Sequence, residues 1–518
     1  MNRVFQRFSA FISVCVALSV ALCAYAQKLD YKLSFDAEQH YINVELRLSE
    51  VPQDEVMLKM PVWAPGYYQI MDYPKHVSDF SVFDAEGKPL QWQKVEKNGW
   101  KLKTQDSCAT VSYRVFAHER SVASSFVNSV MAFIAPNGVF MYIDGKKELP
   151  ATISFVKPEN WAHISTSLEK VTSPLASWRG VGGEAMCFYS PDFDTLYDSP
   201  MLLGNHLVKK INFEGHDYEF AIVGSDGFEE SGFVEDFKQM VSATTRLMGD
   251  VPYKRYCVIH LGQGGGGLEH LSSQACYTSG SYRFTSRKEY LSHLSFVSHE
   301  YFHLYNVKSI RPIELGPFDY DREVWTPLLW VSEGFTCYYE NKNLVSAGIV
   351  DVDFMLQDIS KGVNYVENNE GHRHMSLRQS SYDIWLNFFN SADNHRDVTI
   401  SYYDKGPVFG LLFDISISAA TKGEKCLDDL MRLLYNRYYR ELQRGFTEEE
   451  FWAAAAEVAG TPLTTLRRYV DTTDDIDYES ILSLAGFRID RNTWRISRSE
   501  SMTKEQQKVY KGLGVMVK

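Results

Sequence analysis

Residues 299–303 read His299-Glu300-Tyr301-Phe302-His303, an H-E-x-x-H pattern. Histidines at i and i+4 stand one turn apart on a single helical face. Two imidazoles placed in this way can hold one metal ion, and the Glu between them can take a proton from a water that the metal activates. The surrounding run, about Arg287 to Asn306, carries Leu291, Leu294, Phe296, Val297, Phe302 and Leu304. That is the composition of a core helix rather than of a surface helix with two solvated histidines, and buried imidazoles need partners.

A third ligand is expected on a neighbouring helix. Trp330-Val331-Ser332-Glu333-Gly334-Phe335-Thr336 places Glu333 thirty positions beyond His303 and among apolar residues. A buried carboxylate there is costly unless it meets a basic side chain or a metal. Two His and one Glu leave a fourth position open, the pattern of a catalytic rather than a structural zinc. Upstream, Gly262-Gln263-Gly264-Gly265-Gly266-Gly267-Leu268-Glu269-His270 contains a formal G-x-G-x-x-G. The segment after it is short and polar and opens no βαβ unit, so dinucleotide binding is rejected. Glycines at a strand edge instead let a substrate backbone come close, with Glu269 offering a carboxylate to a cation such as a peptide's free α-amine. Downstream, Ser401-Tyr402-Tyr403-Asp404-Lys405-Gly406-Pro407 opens another helix. A phenol near the metal can donate to an oxyanion, though on its own this stretch suits a structural tyrosine equally well.

Outward from these motifs the chain reads as a multidomain α+β protein. Residues 27–195 alternate with period two, as in Tyr41-Ile42-Asn43-Val44-Glu45-Leu46-Arg47-Leu48, and form an N-terminal β-sandwich-like domain. Residues 196–348 mix strands with helices at Phe233 to Met248, Arg287 to Asn306 and from Pro327 onward, and form the catalytic domain. Residues 349–487 are helical, with a capping box at Thr447 and Glu450, and complete the cleft. Residues 488–518 are short, polar and poorly patterned.

The chain has 518 residues and a net charge of −13. An acidic chain is a poor partner for nucleic acid, which requires clustered Lys and Arg. Arg3 and Arg7, the apolar run Phe8 to Leu22, and Ala24-Tyr25-Ala26 make residues 1–26 a signal peptide. Export to the periplasm or outside the cell is therefore expected, with no membrane contact after cleavage. The six cysteines beyond residue 26 show no CxxC pair and are read as buried small apolar residues rather than a disulfide framework or zinc ligands.

The motifs in order, Gly266-Gly267-Leu268-Glu269-His270, His299 to His303, Trp330 to Tyr339 and Tyr403-Asp404-Lys405-Gly406, resemble the glycyl aminopeptidase family of PDZ-associated, thermolysin-like zinc metallopeptidases. Pro61-Val62-Trp63-Ala64-Pro65-Gly66-Tyr67-Tyr68 resembles a signature of their N-terminal β domain. The resemblance runs from about Leu33 to Phe487. It implies a thermolysin-like catalytic domain and one zinc ion per chain held by His299, His303 and Glu333. It also implies Glu300 as general base and proton donor, Glu269 with Gly266 and Gly267 in substrate binding, Tyr403 on the oxyanion, and peptide substrates with N-terminal Gly or Ala. The family usually ends in a PDZ domain, and residues 488–518 are expected to be a tail or the truncated start of one. A zinc endopeptidase with the same site and a non-catalytic peptide-binding protein are the other readings. Oligomeric state is not legible in the sequence.

Overall fold

The computed structural model describes residues 28–51, 54–171 and 186–514. The expected signal segment lies outside them. The chain divides into two compact units. The first comprises Met1–Val62, Asp72–Arg120 and Ser124–Asn205, and the second Trp63–Met71, Ser121–Ala123 and His206–Lys518. From His206 onward the segments expected as catalytic and helical domains lie within one unit, which also takes in most of the Pro61 to Tyr68 motif, while residues 196–205 belong to the first.

The first unit is built of three sheets. The largest has seven strands, in the order Glu169–Val171, Cys187–Ser190, Ala151–Val156, Lys28–Asp36, Tyr41–Ser49, Ala109–Phe116 and Val77–Phe83. Lys28–Asp36 and Ala151–Val156 run parallel, and the other pairs are antiparallel. In Tyr41–Ser49 the residues Ile42, Val44, Leu46 and Leu48 are buried and their neighbours more exposed. This is the alternation legible in the sequence, because successive side chains leave a strand on opposite faces.

The second unit opens with a five-stranded sheet ordered Leu207–Phe213, His216–Ile222, Arg255–Gln263, Ser273–Thr278 and Gly267–His270. The strand Gly267–His270 lies at the edge, antiparallel to Ser273–Thr278. The glycine run therefore feeds an edge strand and not a helix, which removes the geometry that pyrophosphate binding requires. Helices Phe233–Met248, Arg287–Phe302, Phe335–Ser346, Val352–Glu367 and Tyr402–Ala420 follow. Helix Arg287–Phe302 is capped by Ser286, whose hydroxyl accepts from Glu289 N at 3.2 Å, and it ends at Phe302 rather than near Asn306. A π-turn, Trp330–Gly334, leads into Phe335–Ser346, so this helix starts later than Pro327.

Aromatic packing fixes the helical layer. Trp330, Phe335, Phe413 and Phe451 are fully buried, with Trp330 and Phe413 ring centres 5.7 Å apart. Lys342 is completely buried and donates to Asp414 at 2.7 Å and Asp428 at 2.6 Å. Tyr338 and Tyr339 add hydrogen bonds of 2.6 and 2.7 Å to the same two carboxylates. A buried charge needs such complete pairing, and this network locks helix Phe335–Ser346 to Tyr402–Ala420.

The described part of the final stretch, to residue 514, carries regular structure. A hairpin, Phe487–Asp490 with Arg495–Arg498, precedes helix Lys504–Gly512. Ile496 N donates to Ser360 Oγ at 2.9 Å, and Ser418 Oγ to Val509 O at 2.8 Å. Among the described residues all six cysteines are free thiols. Cys257, Cys276 and Cys426 are buried as expected, while Cys108, Cys187 and Cys337 are only half-buried. No helix among the described residues is long and apolar enough to cross a membrane.

Candidate metal centre

The HExxH segment lies at the C-terminal end of helix Arg287–Phe302, and His303, its C-cap, keeps helical dihedrals (φ −59°, ψ −23°). Both imidazoles are oriented by their Nδ1 atoms. His303 Nδ1 lies 2.7 Å from the carbonyl oxygen of Asn306, and His299 Nδ1 lies 3.0 Å from Glu340 Oε2. A carbonyl can only accept, so Nδ1 of His303 carries the proton, and the Glu340 carboxylate asks the same of His299. Each Nε2 then presents a lone pair.

Those two lone pairs face each other at 2.9 Å. Glu333 Oε2 lies 3.3 Å from His303 Nε2 and 3.6 Å from His299 Nε2, and it is buried with no hydrogen-bond partner. Three donor atoms crowded together without a proton between them repel one another unless a cation sits among them. Three ligands on a tetrahedral zinc, each about 2.0–2.1 Å from the ion, stand about 3.3 Å apart. The residues therefore fit a zinc ion.

Two overlapping groups fit less well. His299, Cys337 and Glu340 also come together, but burial pushes the Cys337 thiol up to about 12, so it is no thiolate at neutral pH. Glu269, Glu300 and His303 bring their polar atoms within 4.8 Å of one another, but His303 has only the Nε2 already aimed at Glu333.

The local field favours positive charge. Burial works against a charged imidazole at both histidines. Even so, both are held above the usual range, His299 by Cys337, Glu333 and Glu340, and His303 by Glu333 and Glu269. Burial alone would raise the Glu333 carboxyl, but His303 and His299 hold it down at about 2. At Glu300 burial wins. It lifts the carboxyl to about 7 against the pull of His299 and His303, with Glu269 and Glu333 adding to the rise.

Three elements bring Glu333 into place. The π-turn projects it, and such single-turn insertions recur at functional sites. Asn306 Nδ2 donates to the carbonyls of Val331 at 2.8 Å and Ser332 at 3.0 Å, and Ser381 Oγ accepts from Trp330 N at 2.9 Å. Asn306 thus ties the turn bearing Glu333 to the segment whose carbonyl orients His303. Gly334 meets Gly406 backbone to backbone, since a Cβ on Gly406 would stand 2.4 Å from the Gly334 Cα. This crossing sets the start of helix Tyr402–Ala420 beside Glu333.

Glu269, on the edge strand, is 3% exposed, and its Oε1 is buried with no partner. Gly66, at φ +91°, lies so close that a Cβ there would come within 2.6 Å of that oxygen. Gly267 leaves room for Glu300, whose Oε1 a Cβ would meet at 2.0 Å. Gly266, at φ +92°, faces only Val122 and stands back from the carboxylates. Ser401 caps the helix that carries Tyr403, accepting from Tyr403 N at 3.1 Å. Burial first, then Glu333, raises the Tyr403 phenol well above its usual range, so it is a neutral donor.

The structure thus gathers His299, Glu300, His303, Glu333 and Glu269 and places Tyr403 alongside. Four neighbours escaped the sequence reading: Asn306, Glu340, Tyr68 and Tyr402. Glu340 follows Glu333 by seven residues, two helical turns, which was a legible signal. Asn306 follows His303 by three. Tyr68 lies in the motif assigned to the β domain, yet it is buried, and its phenol is raised by burial and by Glu333, Tyr402 and Glu269. The Tyr402 hydroxyl is buried without a partner.

Residues 30–205 match the profile of the Peptidase M61 N-terminal domain, and residues 292–409 that of M61 glycyl aminopeptidase, together more than half of the chain. The crystal structure of an aminopeptidase N family protein from Idiomarina loihiensis superposes with a TM-score of 0.81 at 23% identity, covering 89% of this chain and 79% of that one. Yeast LTA4 hydrolase, solved in complex with Bestatin, superposes with a TM-score of 0.50 at 14% identity, covering 88% of this chain and 67% of that one. No curated protein sequence matches. The buried His/Glu cluster and the two family profiles define a zinc-dependent metallopeptidase with aminopeptidase activity. The chain belongs to the M61 glycyl aminopeptidase family.

Proposed function

We propose that the protein is an exported aminopeptidase that removes small N-terminal residues, Gly or Ala, from peptides at a thermolysin-like site holding one zinc ion. The observation that carries this reading is the convergence of two Nε2 lone pairs and an unpartnered carboxylate oxygen on one buried point. His299, His303 and Glu333 are the ligands. When bound, zinc acidifies a water molecule and polarises the scissile carbonyl.

The chain's own residues do the rest. Glu300 takes the proton of the attacking water. Its carboxyl, poised near neutrality by burial, can then return that proton to the leaving amine. Tyr403, neutral and beside Glu333, donates to the oxyanion. Strand Gly267–His270, at the edge of its sheet, can align an extended peptide. Glu269 receives the α-ammonium, and this satisfies its unpartnered Oε1. With that ammonium held beside the Glu300 carboxylate, the first peptide bond is the one within reach. The preference for a small first side chain rests on membership of the glycyl aminopeptidase family. Export rests on the segment 1–26. The fold's likeness to a chain solved with Bestatin makes that compound the inhibitor to try.

Glu300→Gln is expected to keep zinc at wild-type occupancy and to lose about 10²–10⁴-fold in turnover of glycyl anilides. Retention of activity with full zinc would refute the role given to Glu300.

A further inference from the structure

The second unit contains a cavity of about 670 Å³ that is lined by none of the metal-centre residues. Five of its lining side chains are basic, Lys254, Lys308, Arg311, Arg440 and Arg444, and one is acidic, Asp250. This is a local inversion of sign in a chain of net charge −13. The bases come from separate places: Lys254 just before strand Arg255–Gln263, Lys308 and Arg311 just after the HExxH helix, and Arg440 and Arg444 within and just beyond the π-helical segment Tyr435–Glu441.

The acid and part of the base are already spent. Asp250 accepts from the Tyr435 hydroxyl at 2.7 Å and pairs with Arg440. Arg444 forks onto Glu450 at 2.7 and 2.9 Å. Among the described residues, Lys254 and Arg311 make no ion pair. The Arg311 guanidinium lies over the Phe318 ring, at 5.7 Å, and against the backbone of Gly316, where a Cβ would stand 2.3 Å from its central carbon. A concave site lined by one sign of charge focuses its field and concentrates counter-ions, and a guanidinium presents a planar fork suited to phosphate or carboxylate oxygens. Tyr253, Tyr435 and Tyr439 supply ring surface between the charges. The volume falls in the range of small-molecule sites, about 300–1,000 Å³, and exceeds what a bare ion fills.

We propose that this cavity binds a small phosphorylated organic anion carrying at least two negative charges, with Arg311 and Lys254 as its principal partners. The site is distinct from the metal centre, and the proposal stands whether or not the peptidase reading does. Calorimetric titration of the zinc-loaded protein with fructose 1,6-bisphosphate at low salt tests it. One saturable site is expected, weakening steeply as salt is raised. The dissociation constant is expected to rise at least about tenfold in the Lys254→Ser/Arg311→Ser variant, with zinc content unchanged. Lys254→Glu, a single change at an exposed residue, provides the same comparison should the double variant not fold. Absence of saturable binding, an unchanged constant in the variants, or equal affinity for inorganic sulfate would overturn the proposal.

Discussion

Asn306→Ala tests whether one side chain outside the ligand set holds the centre together. Asn306 is fully buried. Its amide donates to Val331 O, Ser332 O and, at 3.2 Å, to Thr336 Oγ1. Ser332 O keeps a second donor, Thr336 Oγ1, at 2.7 Å, so the main loss falls at Val331. A net hydrogen bond contributes about 0.5–1.5 kcal/mol, and a buried acceptor deprived of its donor costs about 1–3 kcal/mol. The second figure applies at Val331 and predicts a loss of about 1–3 kcal/mol in the unfolding free energy of the metal-free protein. The His303–Asn306 bond uses the backbone carbonyl and survives the substitution, so the effect on metal comes through Glu333 alone. Loss of such an orienting partner lowers metal affinity by about 10–100-fold. Urea unfolding of the metal-free protein and zinc competition against a chromogenic chelator measure the two quantities separately. Wild-type zinc affinity in a destabilised variant would refute the coupling between Asn306 and the placement of Glu333.

Two further outcomes are expected. Glu269→Ala should cut kcat/KM for free-amine glycyl substrates and leave N-acetylated analogues unaffected; equal effects on both would remove Glu269 from α-ammonium recognition. His293, half-buried against Phe233, His260 and Tyr282, is lowered by desolvation to about 4. The unfolded chain therefore binds more protons than the folded one between about pH 4 and 6.5, and stability falls as pH falls through that window. From pH 7 to pH 5 the His293 share is at most about 2 kcal/mol. Urea unfolding at both pH values should show His293→Gln losing correspondingly less than wild type, and identical losses would contradict the assignment.

The zinc ligands and the base were legible because the chemistry is local in sequence. An i, i+4 pair with an intervening Glu identifies itself, and Glu333 stands out as a carboxylate in an apolar stretch. The strand Tyr41–Ser49 and helix Phe233–Met248 were legible because burial imposes periods of two and 3.6 on them. What hid was tertiary. The π-turn at Trp330–Gly334 depends on Asn306 and Ser381, which come from two other segments. Tyr68 reaches the centre because Trp63–Met71, within a β-rich stretch of sequence, is itself part of the second unit, held by Trp63 Nε1 donating to Asp319 O at 2.7 Å. The polar stretch after Phe487 gave little periodic signal because its hairpin and helix each bury only a few side chains, such as Ile496, Val509 and Tyr510.

The central claim is that His299, His303 and Glu333 share one ion that the reaction requires. Metal analysis of wild type and Glu333→Gln, paired with glycyl-anilide turnover before and after chelation, tests it directly. One zinc per wild-type chain is expected, with turnover abolished by chelator and restored by zinc, and with affinity in the variant reduced by more than about tenfold. Full zinc occupancy of Glu333→Gln, or turnover that survives complete removal of the metal, would contradict the account.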